Sequence, residues 1–218
     1  MIYEFPGQDR PIRQGDIFVG LPRVEVSLER IPLVDEDGSY DASWEEVASA
    51  GNQVRAILPV RPVSAIVITQ DCDTIHSQDI SLCEIREFRA VEGKARQTKD
   101  AKGWVSILTQ HARVNLKWFY LPPDPRLGFD DKMAVDFTVT LRVPRVELER
   151  YRGFRKGRLN PTADEHFRER LAEFFRRYPY DEWYPLNMEE LAEYQKKYAD
   201  AAPFPWQQPA ANQPEDES

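Results

Sequence analysis

Apolar positions recur with a period of two along the first two-thirds of the chain, and with a period near 3.6 along the last third. Gly15-Asp16 lead into Ile17-Phe18-Val19, and residues 23–28 set Val24, Val26 and Leu28 on alternate positions. That alternation is the pattern of strands with one face in a core. Ala65-Ile66-Val67-Ile68, within Ser64–Thr69, is a continuous apolar and β-branched run, which predicts a strand buried on both faces. Ile80–Glu87 reads as its partner. Lys117–Leu121 and Ala134–Leu141 read as further strands, with Pro122, Pro123 and Pro125 breaking the chain between them.

Other stretches break the alternation. Ser43-Trp44-Glu45-Glu46 has capping-box spacing and Gly51 stands at a helix stop, so residues 35–53 read as a loop carrying one short helix. Residues 92–102 read as a loop and Trp104–His111 as a short helix. Asn160 caps, Pro161 takes the first helical position, and Phe167, Leu171, Phe174, Phe175 and Tyr178 share one helical face. Asn187 with Glu190 opens a second helix bearing Leu191, Tyr194 and Tyr198. Several short strands without βαβ alternation predict an α+β protein. The expected organisation is a small antiparallel barrel or rolled sheet over residues 1–145 and a helical annex over 146–202. A disordered tail rich in Pro, Gln and acid would follow over 203–218.

Composition narrows the class. Hydrophobic residues make up 41% and aromatics 11%, enough for a packed core in a chain of 218 residues. No apolar run reaches membrane-spanning length and the first residues are polar, so a cytoplasmic protein with no membrane contact is expected. Cys72 and Cys83 form no disulfide framework, and three histidines without a Cys-x-x-Cys predict no metal site and no cofactor. The formal charge of −8 is unevenly spread. Residues 142–177 hold eleven basic and six acidic side chains, while residues 1–60 and 178–218 are net acidic.

Two constellations carry candidate chemistry. Asp71-Cys72-Asp73 with His76 follows the buried strand. It fits a Cys–His pair, a set of carboxylates for a divalent cation, or a tight turn in which the aspartates cap backbone N–H groups. Carboxylates beside a thiol raise its pKa, which weighs against a nucleophile. The second is Arg150-Tyr151-Arg152-Gly153-Phe154-Arg155-Lys156-Gly157-Arg158, a basic run interleaved with aromatics. Its arginines could hold phosphates while Tyr151 and Phe154 stack on bases, or the run could be a solvated connection.

Arg13-Gln14-Gly15-Asp16-Ile17, then Val60-Arg61-Pro62-Val63 leading into Ile66-Val67-Ile68-Thr69-Gln70-Asp71, resembles the opening of the MazF/PemK-like toxin barrels. The resemblance covers roughly the first 90 residues and implies an SH3-like barrel. It also implies metal-independent cleavage of single-stranded RNA, with Arg61 matching a catalytic arginine. The family's catalytic threonine has no counterpart in Glu84-Ile85-Arg86-Glu87-Phe88. The whole chain also resembles a set of bacterial proteins with a Gly-Asp-Ile start, a Thr-Gln-Asp-Cys-Asp turn and an Arg-Leu-Asn-Pro helix entry, which implies no activity. Two readings follow. The first is a non-catalytic interaction module whose basic segment holds a protein or nucleic-acid partner, RNA included. The second is an endoribonuclease with Arg61 as phosphate clamp and Asp71 or His76 as proton acceptor.

Overall fold

The structure, a computed structural model, describes residues 2–176 and 188–199. Its strands are β1 (Tyr3–Glu4), β2 (Asp16–Val24), β3 (Ile31–Val34), β4 (Ser39–Ala42), β5 (Arg55–Ala56), β6 (Val60–Val67), β7 (Asp79–Glu87), β8 (Trp118–Leu121), β9 (Met133–Pro144) and β10 (Arg155–Leu159). Its α-helices are α1 (Trp44–Ala50), α2 (Asp71–His76), α3 (Phe88–Val91), α4 (Gly93–Gln97), α5 (Ala101–Thr109), α6 (Arg145–Arg150), α7 (Pro161–Arg176) and α8 (Met188–Lys197).

Seven strands form one antiparallel sheet in the order β1-β10-β2-β6-β7-β9-β8. A separate three-stranded sheet, β4-β3-β5, packs Ile31 and Leu33 against Val47 of α1. The protein is therefore α+β with a large antiparallel sheet, and the expected barrel is not closed, because β1 and β8 share no ladder. A side chain spans that gap instead: the Tyr3 hydroxyl donates to the Pro122 carbonyl just past β8, at 2.8 Å.

Alternation on the strands separates two cores. Ile17, Ile66, Cys83 and Ile85 face one side, where Phe167, Leu171 and Phe174 of α7 cover them. Phe18, Val63, Ala65, Val67, Ile80 and Leu82 face the other, under Leu148 of α6. The run 65–67 is thus buried on both faces, as its composition predicts. A third cluster of Phe88, Ala95, Ile107, Trp118 and Ala134 seats α3, α4 and α5 against β8 and β9.

Several local expectations change. Val24, Val26 and Leu28 alternate but all three are exposed: Val24 is the last paired residue of β2, and Val26 and Leu28 lie beyond the strand's end. Residues 92–102 hold α4 and the start of α5, with Glu92 and Asp100 as their capping acceptors. Within 35–53 the capping box and the left-handed Gly51 stand as expected, but β4 precedes them. Residues 155–159 form β10 inside the sheet, so no helical annex begins at 146. The compact unit runs from Met1 to Phe174 and the second unit from Phe175 to Ser218. On α7, Asn160 Oδ1 accepts from the Ala163 N–H at 2.9 Å, and Phe175 is exposed. The expected tail over 203–218, Tyr178 and Asn187 lie outside the described residues. Among the described residues no helix is long and apolar enough to cross a membrane.

Candidate functional site

Arg61 sits near the start of β6, opposite Arg23 on β2. Its Nε donates to Glu25 at 2.7 Å and its Nη2 to Glu84 at 2.9 Å. Glu84 is 2% exposed and also pairs with Arg23, so two guanidiniums neutralise one buried carboxylate. These bonds hold the Arg61 guanidinium still more firmly charged. Asp71 lies beyond the other end of the same strand. Six strand residues at a rise of about 3.3 Å put roughly 20 Å between Arg61 and the end of β6. The structure therefore does not bring Arg61 together with Asp71 or His76.

Asp71 begins α2, so the turn expected at Asp71-Cys72-Asp73 is the first turn of a helix. Its carboxylate accepts from Arg13 Nε at 3.0 Å, from the Gln14 N–H at 2.8 Å and from Arg168 Nη2 at 3.3 Å. Burial alone would raise its pKa; the Arg13 and Gln14 hydrogen bonds outweigh that and hold it below the usual carboxylate range. His76 is exposed at the last turn of α2. Cys72 is exposed and its Sγ lies 3.9 Å from Gln70 Oε1. No hydrogen bond joins Cys72 to His76 among the described residues.

The basic run folds back onto its own chain. Arg155, its side chain 1% exposed, donates to the carbonyls of Gly7, Arg10 and Pro11 and to Asp16 Oδ2. Arg158 donates to both Asp16 oxygens and to the Pro11 carbonyl. Arg152 donates to the Gln8 carbonyl, Arg150 to Glu147 and Lys156 to the Gly153 carbonyl. Tyr151 and Phe154 are exposed and lie against each other, 6.0 Å between centroids. Arg152, Arg155 and Arg158 fasten the loop 7–13 to this run, which is a clasp more than a free surface.

The three segments singled out in sequence meet at that clasp. Asp16 is fully buried between Arg155 and Arg158, Asp71 reaches back to Arg13, and Arg168 on α7 bridges Asp71 to Asp164. Gly15 is required here: its φ is +81°, and a Cβ would stand 2.7 Å from Asp164 Oδ1. Asp164 and Arg168 escaped the sequence reading. Their i,i+4 spacing marked an ordinary helix pair and gave no hint of Asp71.

A second group was missed altogether. Residues 88–117, the α3–α5 cover, carry seven Lys and Arg but two Asp and Glu. Glu92 turns inward, while Asp100 stays exposed. Glu92 is 4% exposed and accepts from the Lys94 N–H, Asn115 Nδ2 and Trp118 Nε1, with His111 Nε2 at 3.1 Å. Asp100 caps α5 through the Gly103 N–H. All seven cations are exposed, and none forms an ion pair among the described residues. Arg89 and Arg96 donate to backbone carbonyls across α3 and α4. Lys132 lies beside them over the Trp104 ring at 4.6 Å, with Glu87, Asp130 and Asp131 exposed at the border. The charge summed over 61–141 is zero, which hid this face; a thirty-residue window would have shown it.

Comparison with protein-family models, with curated proteins and with solved structures returns no match.

Proposed function

We propose that the chain is a non-catalytic interaction module that holds a nucleic acid by its phosphodiester backbone on the α3–α5 face. One observation carries this reading. In a protein of net charge −8, one thirty-residue segment holds seven exposed cations without a carboxylate partner among the described residues; of its two acids, Glu92 is buried against Trp118 and Asp100 caps α5. A local basic footprint of that kind attracts phosphates and releases their counterions. The relocation from 150–158 follows from hydrogen bonding. Arg155 and Arg158 have their donors committed to Asp16 and the 7–11 carbonyls, whereas Lys99, Lys102, Arg113 and Lys117 have theirs in water. With Arg61 tied to Glu25 and Glu84, the endoribonuclease reading gains no support from the geometry.

Fluorescence anisotropy with labelled single-stranded RNA and with a DNA duplex tests the proposal and separates the two sources of phosphate. Binding to at least one is expected, with affinity falling as salt rises by roughly 0.7–0.9 log units per contact for each tenfold in salt. Lys99→Glu, Lys102→Glu and Arg113→Glu combined should weaken it at least tenfold and flatten the salt slope. Absence of salt-dependent binding to both nucleic acids, or equal binding by the triple variant, would overturn the proposal.

A further inference from the structure

The small sheet β4-β3-β5 and helix α1 form a lobe over residues 24–60 whose core is three buried apolar side chains, Ile31, Leu33 and Val47. Nine of the nineteen exposed large hydrophobic side chains among the described residues lie in this span alone. Singly exposed apolar residues are ordinary, but a concentration of them marks an interaction surface. The fold brings several together. Val24 stands opposite Val60 in the β2–β6 ladder, and the Trp44 N–H donates to the Leu28 carbonyl at 2.9 Å. Val34, Tyr40 and Val54 line a groove of about 400 Å³, with Asp35, Glu36 and Arg55 on its wall.

The lobe also ends in open strand. β4 pairs with β3 on one side and with no strand among the described residues on the other, which leaves an edge that an extended chain can join. Along that edge Tyr40 and Asp41 follow one another, both exposed and facing opposite sides of the sheet. An added strand therefore meets an aromatic ring at one position and a carboxylate at the next. Charge selects what that strand carries. Residues 24–60 hold eight acidic and two basic side chains, and Glu29, Glu36, Asp37 and Glu45 are exposed with no ion pair among the described residues. Like charge thus disfavours a second lobe from another copy, and equally a nucleic acid or an anionic lipid surface. We propose that this lobe docks a protein partner through an extended segment in which apolar side chains alternate with Lys or Arg, added along β4. Its apolar side chains reach the Tyr40 ring and the groove beside it. Its cations lie on the Asp41 face and near Glu36 and Asp37 at the hairpin turn. The Arg30–Asp41 pair, exposed on both sides, is weak and opens readily to admit them. The surface is independent of the nucleic-acid face, because it uses none of residues 88–117.

Fluorescence anisotropy of the full chain with a short labelled peptide of alternating Val and Lys tests this, beside Ser–Lys and Val–Glu peptides of the same length. The Val–Lys peptide should bind saturably and at least tenfold more tightly than either control. Tyr40→Ser combined with Val54→Ser, both on exposed positions, should weaken it at least tenfold. Methylating one alternate set of the peptide's backbone nitrogens should abolish binding, and methylating the other set should spare it, since a strand on an edge shares only one set. The methylated peptides need no variant of the protein, so a misfolded lobe cannot hide the answer. Equal binding of the Val–Lys and Ser–Lys peptides would reduce the contact to charge alone and overturn the proposal, as would equal effects of the two methylations. Sedimentation equilibrium supplies the last check: a dimer that Tyr40→Ser with Val54→Ser dissolves would give the lobe to a second copy and overturn it too.

Discussion

Replacing Asp16 by Ala tests the claim that the basic run is a structural clasp. Asp16 is fully buried and accepts from Arg155 Nη1, from Arg158 Nε and Nη2, and from the Arg13 N–H. Arg155 keeps three carbonyl acceptors without it, but no counter-charge in a position that is 1% exposed. Breaking a buried pair from one side costs about 3–5 kcal/mol, because the remaining charge stays desolvated. For a chain of this size each kcal/mol lowers Tm by about 2–4 °C, so the expected drop is roughly 6–20 °C.

Urea denaturation followed by circular dichroism gives the free energy directly. Arg155→Met in the Asp16→Ala background supplies the control. Removing the stranded guanidinium should recover stability, so the double variant should lose at least about 1 kcal/mol less than the sum of the single changes. A loss below about 1 kcal/mol for Asp16→Ala, or strict additivity, would refute the clasp and return Arg155 and Arg158 to the surface.

Gly15→Ala should destabilise by at least about 1–2 kcal/mol, since it adds a left-handed strain to a contact with Asp164. Gly51→Ala, with φ +65° and open space around it, should cost less in the same denaturation assay. Burial first, and Asp136 after it, push the Cys83 thiol up to about 12, while Cys72 is exposed. A thiol-specific chromophore should therefore titrate one cysteine in the folded protein and two after unfolding; two fast thiols in the folded state would contradict the packing. The Asp71 pKa is lowered on folding, so its stabilisation is complete above the ordinary carboxylate range and is lost as pH falls through the folded-state value. Asp164 is raised, so its ionisation works against folding as pH rises. Asp71→Asn should flatten the acid side of a urea-midpoint profile taken from about pH 3 to 7, and Asp164→Asn should steepen it.

Periodicity made the sheet legible wherever a strand buries side chains in period two. The strands from Ile80 and from Ala134 stand where their pattern put them, and the run 65–67, continuous and not alternating, stands buried on both faces. Periodicity misled at Val24, Val26 and Leu28, because alternation reports a pattern of side chains and not whether anything covers them: Val24 is paired with Val60 and exposed all the same. β10 was hidden for a related reason. Its sequence Arg-Lys-Gly-Arg-Leu carries buried charge at Arg155, and burial of an arginine is invisible until Asp16 and three carbonyls are known to meet it.

The same physics governs the candidate sites. A charge is available to a partner only after its own chain has been served, and that service comes from residues far off in sequence. Arg155 and Asp16 lie 139 positions apart, and Arg13 and Asp71 lie 58 apart. A run of arginines at 150–158 therefore looked like a binding surface until the loop 7–13 took its donors. The scattered cations of 88–117 looked neutral until Glu92 turned inward to hold Trp118 and Asp100 was engaged as the cap of α5. Among the described residues the same accounting leaves Asp164 Oδ1 buried without a hydrogen-bond partner. What the fold leaves unpaired, rather than what the sequence concentrates, marks where this protein can hold something else.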